Sequence, residues 1–209
     1  MARLSAAERR TALVQAALRV IDRDGVHAAS TRAIVAEAGM PLASFHYAMR
    51  SRDELIREVI ASVVAGERAA AVASLTPGAD LRATVRAGFQ AYFDLVAASP
   101  SHEQAMFELF HYSLRTEELA DLPRLQYENY HALAREVLHA GAELTGMRWV
   151  VPVDEVARLV VVLTDGITLA WLADRNADAA ARTIELATDT ITALATPDSP
   201  RSSPDVRAD

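Results

Sequence analysis

The 209-residue chain has no cysteine and no lysine. The first absence excludes disulfides, cysteine-ligated zinc and cysteine nucleophiles, and it agrees with a reducing compartment. The second makes each of the 21 basic residues an arginine, a planar donor suited to phosphate. Long uncharged apolar runs are missing too: the most apolar stretch, 156–173, is interrupted by Arg158 and Asp165 and falls short of the pattern expected for a membrane span. The opening residues MARLSAAERR carry charge where a secretory signal is apolar. A cytoplasmic protein without a membrane partner is expected. No alternating apolar pattern of useful length occurs, so no strands are expected either.

What is present is enough apolar material for a core: 51% hydrophobic against 23% charged residues, which excludes disorder as the default. The net charge of −7 is unevenly spread. Residues 1–50 hold seven Arg against Glu8, Asp22, Asp24 and Glu37, or +3, which leaves −10 on residues 51–209. Any polyanion binding therefore belongs to the N-terminus.

Periodicity and caps predict an all-α fold of about nine helices. Ser5 to Glu8 is a capping box opening a first helix that closes near Gly25. Ser30 or Thr31 caps a second, ended by Gly39. Pro41 opens a short third, with Phe45 and Met49 one turn apart and facing inward. Ser51 to Glu54, another capping box, starts a fourth helix that the Thr76-Pro77-Gly78 break stops near residue 75. Further helices are expected at about 80–98, 101–114, 123–145, 152–174 and 177–195. The division is a 1–50 head, a 51–196 body whose first helix is the connector, and a disordered tail at 197–209.

Two short helices joined by Gly39-Met40-Pro41 fit a helix-turn-helix, whose second helix enters the major groove. The stretch from Ser30 to Leu55, STRAIVAEAGMPLASFHYAMRSRDEL, resembles the DNA-binding signature of TetR/AcrR-type regulators. The likeness lies in Thr31 and Arg32, Ala36 and Gly39, the run Ser44-Phe45-His46-Tyr47, and the run Ser51 to Leu55. It covers about 50 residues; beyond them only helix pattern and length match. The resemblance implies a homodimeric, non-enzymatic repressor on pseudo-palindromic double-stranded operator DNA. Thr31 and Arg32 would touch phosphate, while Pro41, Leu42, Ala43, Ser44 and Tyr47 would face the bases. His46 stands where the family has a phosphate-holding Tyr, and Arg52 where it has a Lys of the same role. Leu42 departs from a common Lys, and Met49 from a packing aromatic.

In the C-terminal region aromatics are interleaved with polar groups such as Asn129, Thr164 and Asp165, the composition of a ligand cavity. Tyr92, Met106, Phe110, His111, Tyr127, His131 and Trp171 are the candidates for binding a small effector. It is expected to be apolar or aromatic, and neutral or cationic rather than polyanionic. Leu169, Leu172 and Leu186 lack an evident intramolecular partner and are assigned to a dimer interface. No cofactor or metal is expected. Three Glu-x-x-His pairs, Glu108 to His111, Glu128 to His131 and Glu136 to His139, raise a rival reading as a di-iron carboxylate bundle. Two of them share one helix, and no further inward Glu is evident. A ligand-independent repressor or an activator with the same head is the nearer alternative.

Overall fold

The computed structural model describes residues 5–73 and 78–198, and most of them are helical. The head comprises α1 (Ala6–Asp24), α2 (Thr31–Glu37) and α3 (Leu42–Ala48). The long α4 (Arg52–Ala73) leads to α5 (Leu81–Ala98), α6 (Pro100–Leu114), α7 (Leu122–Thr145), α8 (Val153–Asp174) and α9 (Ala177–Thr192), with one 3-10 turn at Glu117–Leu119. Of the expected break before α5, Thr76 and Pro77 lie outside the described residues.

The caps explain where the helices start. Both arms of the Ser5–Glu8 box form, at 2.7 and 3.2 Å. Ser30 accepts the Ala33 N–H to open α2. At α4 the box is stretched by one residue: Ser51 accepts the Glu54 N–H, but the Glu54 carboxylate reaches back to the Arg50 N–H at 2.6 Å. Pro41 caps α3 from just outside, so Leu42 is its first helical residue.

Two cores divide the chain. One gathers Leu13, Ile21, Ile34 and Phe45 of the head with Leu55 of α4 and Leu109 of α6. The other joins Phe89, Phe93, Val156, Trp171, Ile184 and Ile191 across α5, α8 and α9. The reading head is thus packed continuously onto the start of α4 and onto α6. Helix α8 is long and apolar enough by composition to cross a membrane. Its inner side, Val156, Ala157, Val161, Ile167 and Trp171, is buried among helices, which accounts for part of that composition, while Val162 and Leu169 lie exposed on its outer side.

Two expectations need correction. A short antiparallel pair exists, β1 (Met147–Trp149) with β2 (Ala195–Pro197), in which Trp149 faces Ala195 and Met147 faces Pro197. Strands of three residues are too short for a period-two pattern to register. The pair also carries the ordered chain past the expected start of the tail at 197, since the Asp198 N–H reaches the Gly146 carbonyl at 2.9 Å. The remainder of the tail, 199–209, lies outside the described residues.

Candidate DNA-reading surface and ligand cavity

Helix α3 divides its side chains as the heptad-like spacing predicts. Phe45 and Met49 are buried, whereas Tyr47 is 80% and Leu42 41% exposed. Pro41, Ala43 and His46 are also exposed, and Ser44 is half-buried. The turn into α3 needs Gly39 for its φ of +64°, not for space, because nothing lies within 4 Å of where a Cβ would be. Arg32 is exposed and Thr31 half-buried on α2. The exposed set, Pro41, Leu42, Ala43, His46 and Tyr47, lies along the first turns of α3.

The head's positive charge is largely committed to the protein itself. Arg10 spans Glu54, Glu58 and the Ala48 carbonyl, and these carboxylates raise its already high pKa further. Arg19 and Arg23 both bind Glu37. Arg52, expected at phosphate, is also engaged within the chain: its guanidinium donates to the carbonyls of Ala29 and Val26, each at 2.8 Å, and to the Tyr112 hydroxyl at 2.9 Å.

In the body a cavity of about 160 Å³ opens between α5, α7 and α8. Its walls are apolar, with Val85, Phe89, Leu138, Trp149 and Val160 among them, and Asp165 and Thr164 stand at its polar end. Small residues, Gly88 on α5 and Ala134 and Gly141 on α7, leave room between the helices there. That volume is close to one that takes up a single aromatic ring.

Asp165 organises the polar end. The Tyr127 hydroxyl donates to it at 2.6 Å, and Tyr127 in turn contacts Phe110, Tyr130 and His131 with ring centroids 5.5 to 6.0 Å apart. Burial pushes the Asp165 carboxyl up, against the opposing pull of Tyr127 and His131. Burial and Arg158 push the His131 imidazole down, with Asp165 opposing them. Burial and the hydrogen bond to Asp165 also raise the Tyr127 phenol. A carboxylate disfavoured by burial and faced by aromatic rings is suited to an incoming positive charge.

Of the seven expected ligand residues, Tyr92 lines the cavity. Phe110, Tyr127 and His131 form the aromatic cluster beside Asp165. The other three are placed elsewhere. Met106 packs on the head-side core, and His111 is exposed on α6, in a groove facing the head. Trp171 is buried against Phe93 at 5.5 Å and covered by Arg175. Each is an aromatic or flexible residue that equally fills a core, and composition does not separate the two uses. Among those missed, Gly88 and Gly141 carried a signal: paired small residues on facing helices leave room.

Leu169 and Leu186 are 52% and 67% exposed, as an interface between copies would require. Leu172 is corrected: it is half-buried and packs on the C-terminal core. The Glu-x-x-His pairs diverge. Glu108 turns to the head, Glu128 binds Arg124 at 2.6 Å, and His131 meets Tyr127 edge-on. Among the described residues no three His, Asp or Glu side chains converge as a metal set.

Comparison with known proteins gives consistent likenesses. Residues 13–59 match the model of bacterial regulatory proteins of the tetR family, and residues 81–196 that of the C-terminal region of BetI-type transcriptional repressors. The HTH-type nicotine-responsive transcriptional repressor HdnoR of Paenarthrobacter nicotinovorans is 30% identical over 173 residues, covering 82% of this chain and 88% of that protein. The multidrug binding protein EbrR, solved with imidazole, superposes with a TM-score of 0.64 at 26% identity, over 93% of this chain and 99% of that one. A transcriptional regulator from Rhodococcus sp. Rha1 gives 0.72 at 18% identity, over 91% and 98%.

Proposed function

This chain belongs to the tetR family of bacterial regulatory proteins and is a DNA-binding transcriptional regulator, and from that premise we propose that it represses through operator binding and is released by a small amine. The amine would carry its positive charge on a mostly apolar body of about one ring. The single observation behind this reading is Asp165, held by Tyr127 at the polar end of an apolar cavity. Nicotine-responsiveness in a relative supports the same class. In this reading Tyr47, Leu42, Ala43 and Pro41 face base edges and thymine methyls, and Arg32, Thr31 and His46 lie toward phosphate.

Release requires the occupant to prefer a head arrangement other than the one DNA selects, because equal affinity for both would shift nothing. The experiment titrates operator complex with imidazole, nicotine and the neutral ring toluene, for wild type and Asp165→Asn. At about pH 6, where both nitrogen bases are mostly protonated, nicotine and imidazole should release wild-type protein, and the Asn variant should need about tenfold more or higher, the worth of a charge-assisted bond. Toluene acting as well as the amines, in both proteins, would overturn the amine assignment. A failure of all three to release DNA would count against induction through this cavity.

A further inference from the structure

Arg52 departs furthest from its expected role. Its Nε and Nη2 bind the carbonyls of Ala29 and Val26, Nη1 binds the Tyr112 hydroxyl, and its guanidinium lies 5.2 Å from the Tyr112 ring centre. The two carbonyls belong to the connection between α1 and α2, and Tyr112 belongs to α6. One turn before Tyr112, the Glu108 carboxylate accepts the Val26 N–H at 3.3 Å. Its oxygen lies 2.9 Å from where a Cβ on Gly25 would sit, and Gly25 has a φ of +82°. The His27 ring meets Tyr112 edge-on at 5.9 Å. The first residue of α4, the far half of α6 and the loop under the head are therefore pinned at one point.

We propose that Arg52, Tyr112 and Glu108 form a clamp that fixes the helix-turn-helix on the body in its DNA-competent orientation, with Arg52 a positioning residue and not a phosphate contact. The assignment rests on the reading that cavity occupancy weakens DNA binding. A planar fork holds two carbonyls and a phenol in one fixed geometry, whereas an ammonium has three donors but a compact head on a flexible stem that does not set their directions in one plane. A head already fixed loses less freedom on docking, so the clamp favours operator binding. Helix α6 supplies the link to the cavity. Glu108 and Tyr112, four residues apart, share one face, and Phe110 between them points to the opposite one. There it meets Tyr127, which holds Asp165. Pressure on Tyr127 from an occupant thus turns the helix that carries the clamp.

The test uses the full chain and a duplex selected from a random pool, with affinity measured across a salt series. Tyr112→Phe should weaken operator binding several-fold and Arg52→Lys at least as much, both with the wild-type slope of log affinity against log salt. Arg52→Lys binding like wild type, or Arg52→Gln lowering the slope by about one while Tyr112→Phe matches wild type, would return Arg52 to the phosphate backbone. Should an Arg52 variant fail to fold, Tyr112→Phe and Glu108→Gln decide alone: wild-type affinity in both, with faster amide exchange at Val26 showing the clamp broken, overturns the proposal. Nicotine then separates the two readings. If it leaves the wild-type complex intact the induction reading fails, while the salt series still decides the clamp; if it releases wild type, both variants should bind it equally and respond with a smaller fold-change.

Discussion

Tyr47 presents an almost free phenol on the reading edge, and its neighbours Phe45 and Met49 already supply the packing that holds α3. Removing the ring should therefore leave the fold intact. Tyr47→Ala is expected to lose about 1–3 kcal/mol of discrimination between operator and mismatched duplex, measured by competition binding. Glu103 poses the opposite case, an acid 8% exposed in the first turn of α6. Burial raises its carboxyl above the ordinary range, and Asp165 and Asp22 add to the effect, partly offset by His102. The fold therefore favours the neutral form, and stability present in acid is lost as pH rises through that raised value. Glu103→Gln should melt higher than wild type at neutral pH and match it below about pH 4, where both side chains are uncharged. A lower melting temperature at neutral pH would mean that a partner holds the carboxylate. Arg52 shows what residue identity cannot convey: an arginine in a motif position for phosphate reads the same whether its fork meets DNA or two carbonyls of its own chain.

The helices were legible because each start carries either a capping side chain or a proline, and the inner faces a 3.6-residue repeat. Ser5, Ser30, Ser51 and Asp80 all accept the N–H that such a cap should accept. The recognition helix was legible for the same reason, since burying Phe45 and Met49 determines which residues are left outside. The cavity was not, because it depends on how α5, α7 and α8 lie across one another, and a single helix's periodicity does not record its neighbour's register. Aromatic and flexible side chains drew the expected site toward Trp171 and Met106, whereas the space itself is created by residues with little side chain. Gly141 puts this to a test. A Cβ there would come 3.4 Å from Thr84 Cγ2 and 3.9 Å from Leu81 Cδ1, ordinary contact distances. Gly141→Ala should stabilise α7 by up to about 1 kcal/mol through helix propensity, while narrowing the cavity and weakening effector binding. Thermal unfolding and ligand titration on the same protein check both halves, and tighter ligand binding by the variant would move the site away from α7.

At the level of the whole molecule, the outer faces of α8 and α9 remain to be accounted for. Val162, Gly166 and Leu169 follow one another along α8, with the two large residues 58% and 52% exposed. A Cβ at Gly166 would meet open space, so a second helix can approach closely at that point. Leu186 on α9 adds a further side chain at 67% exposure. An exposed apolar stripe of this kind suits burial against its copy about a twofold axis, and family members act as dimers, so we propose these faces for the contact between copies. Two heads joined through a rigid body can engage half-sites about 34–36 Å apart only if that contact holds. Binding of the second head is then intramolecular, which typically contributes about 10²-fold or more in affinity. Leu186→Arg and Leu169→Arg should therefore give monomers by light scattering at micromolar concentration and lose operator affinity by about that factor, with helical content unchanged. Leu144→Arg, at a comparably exposed position on α7, should leave both properties intact. Leu172 is unsuited to the experiment, because it packs on the C-terminal core and its substitution would disturb folding as well as assembly. A Leu186→Arg protein that remains dimeric and binds operator normally would remove α9 from the interface, and the exposed leucines would then need another partner.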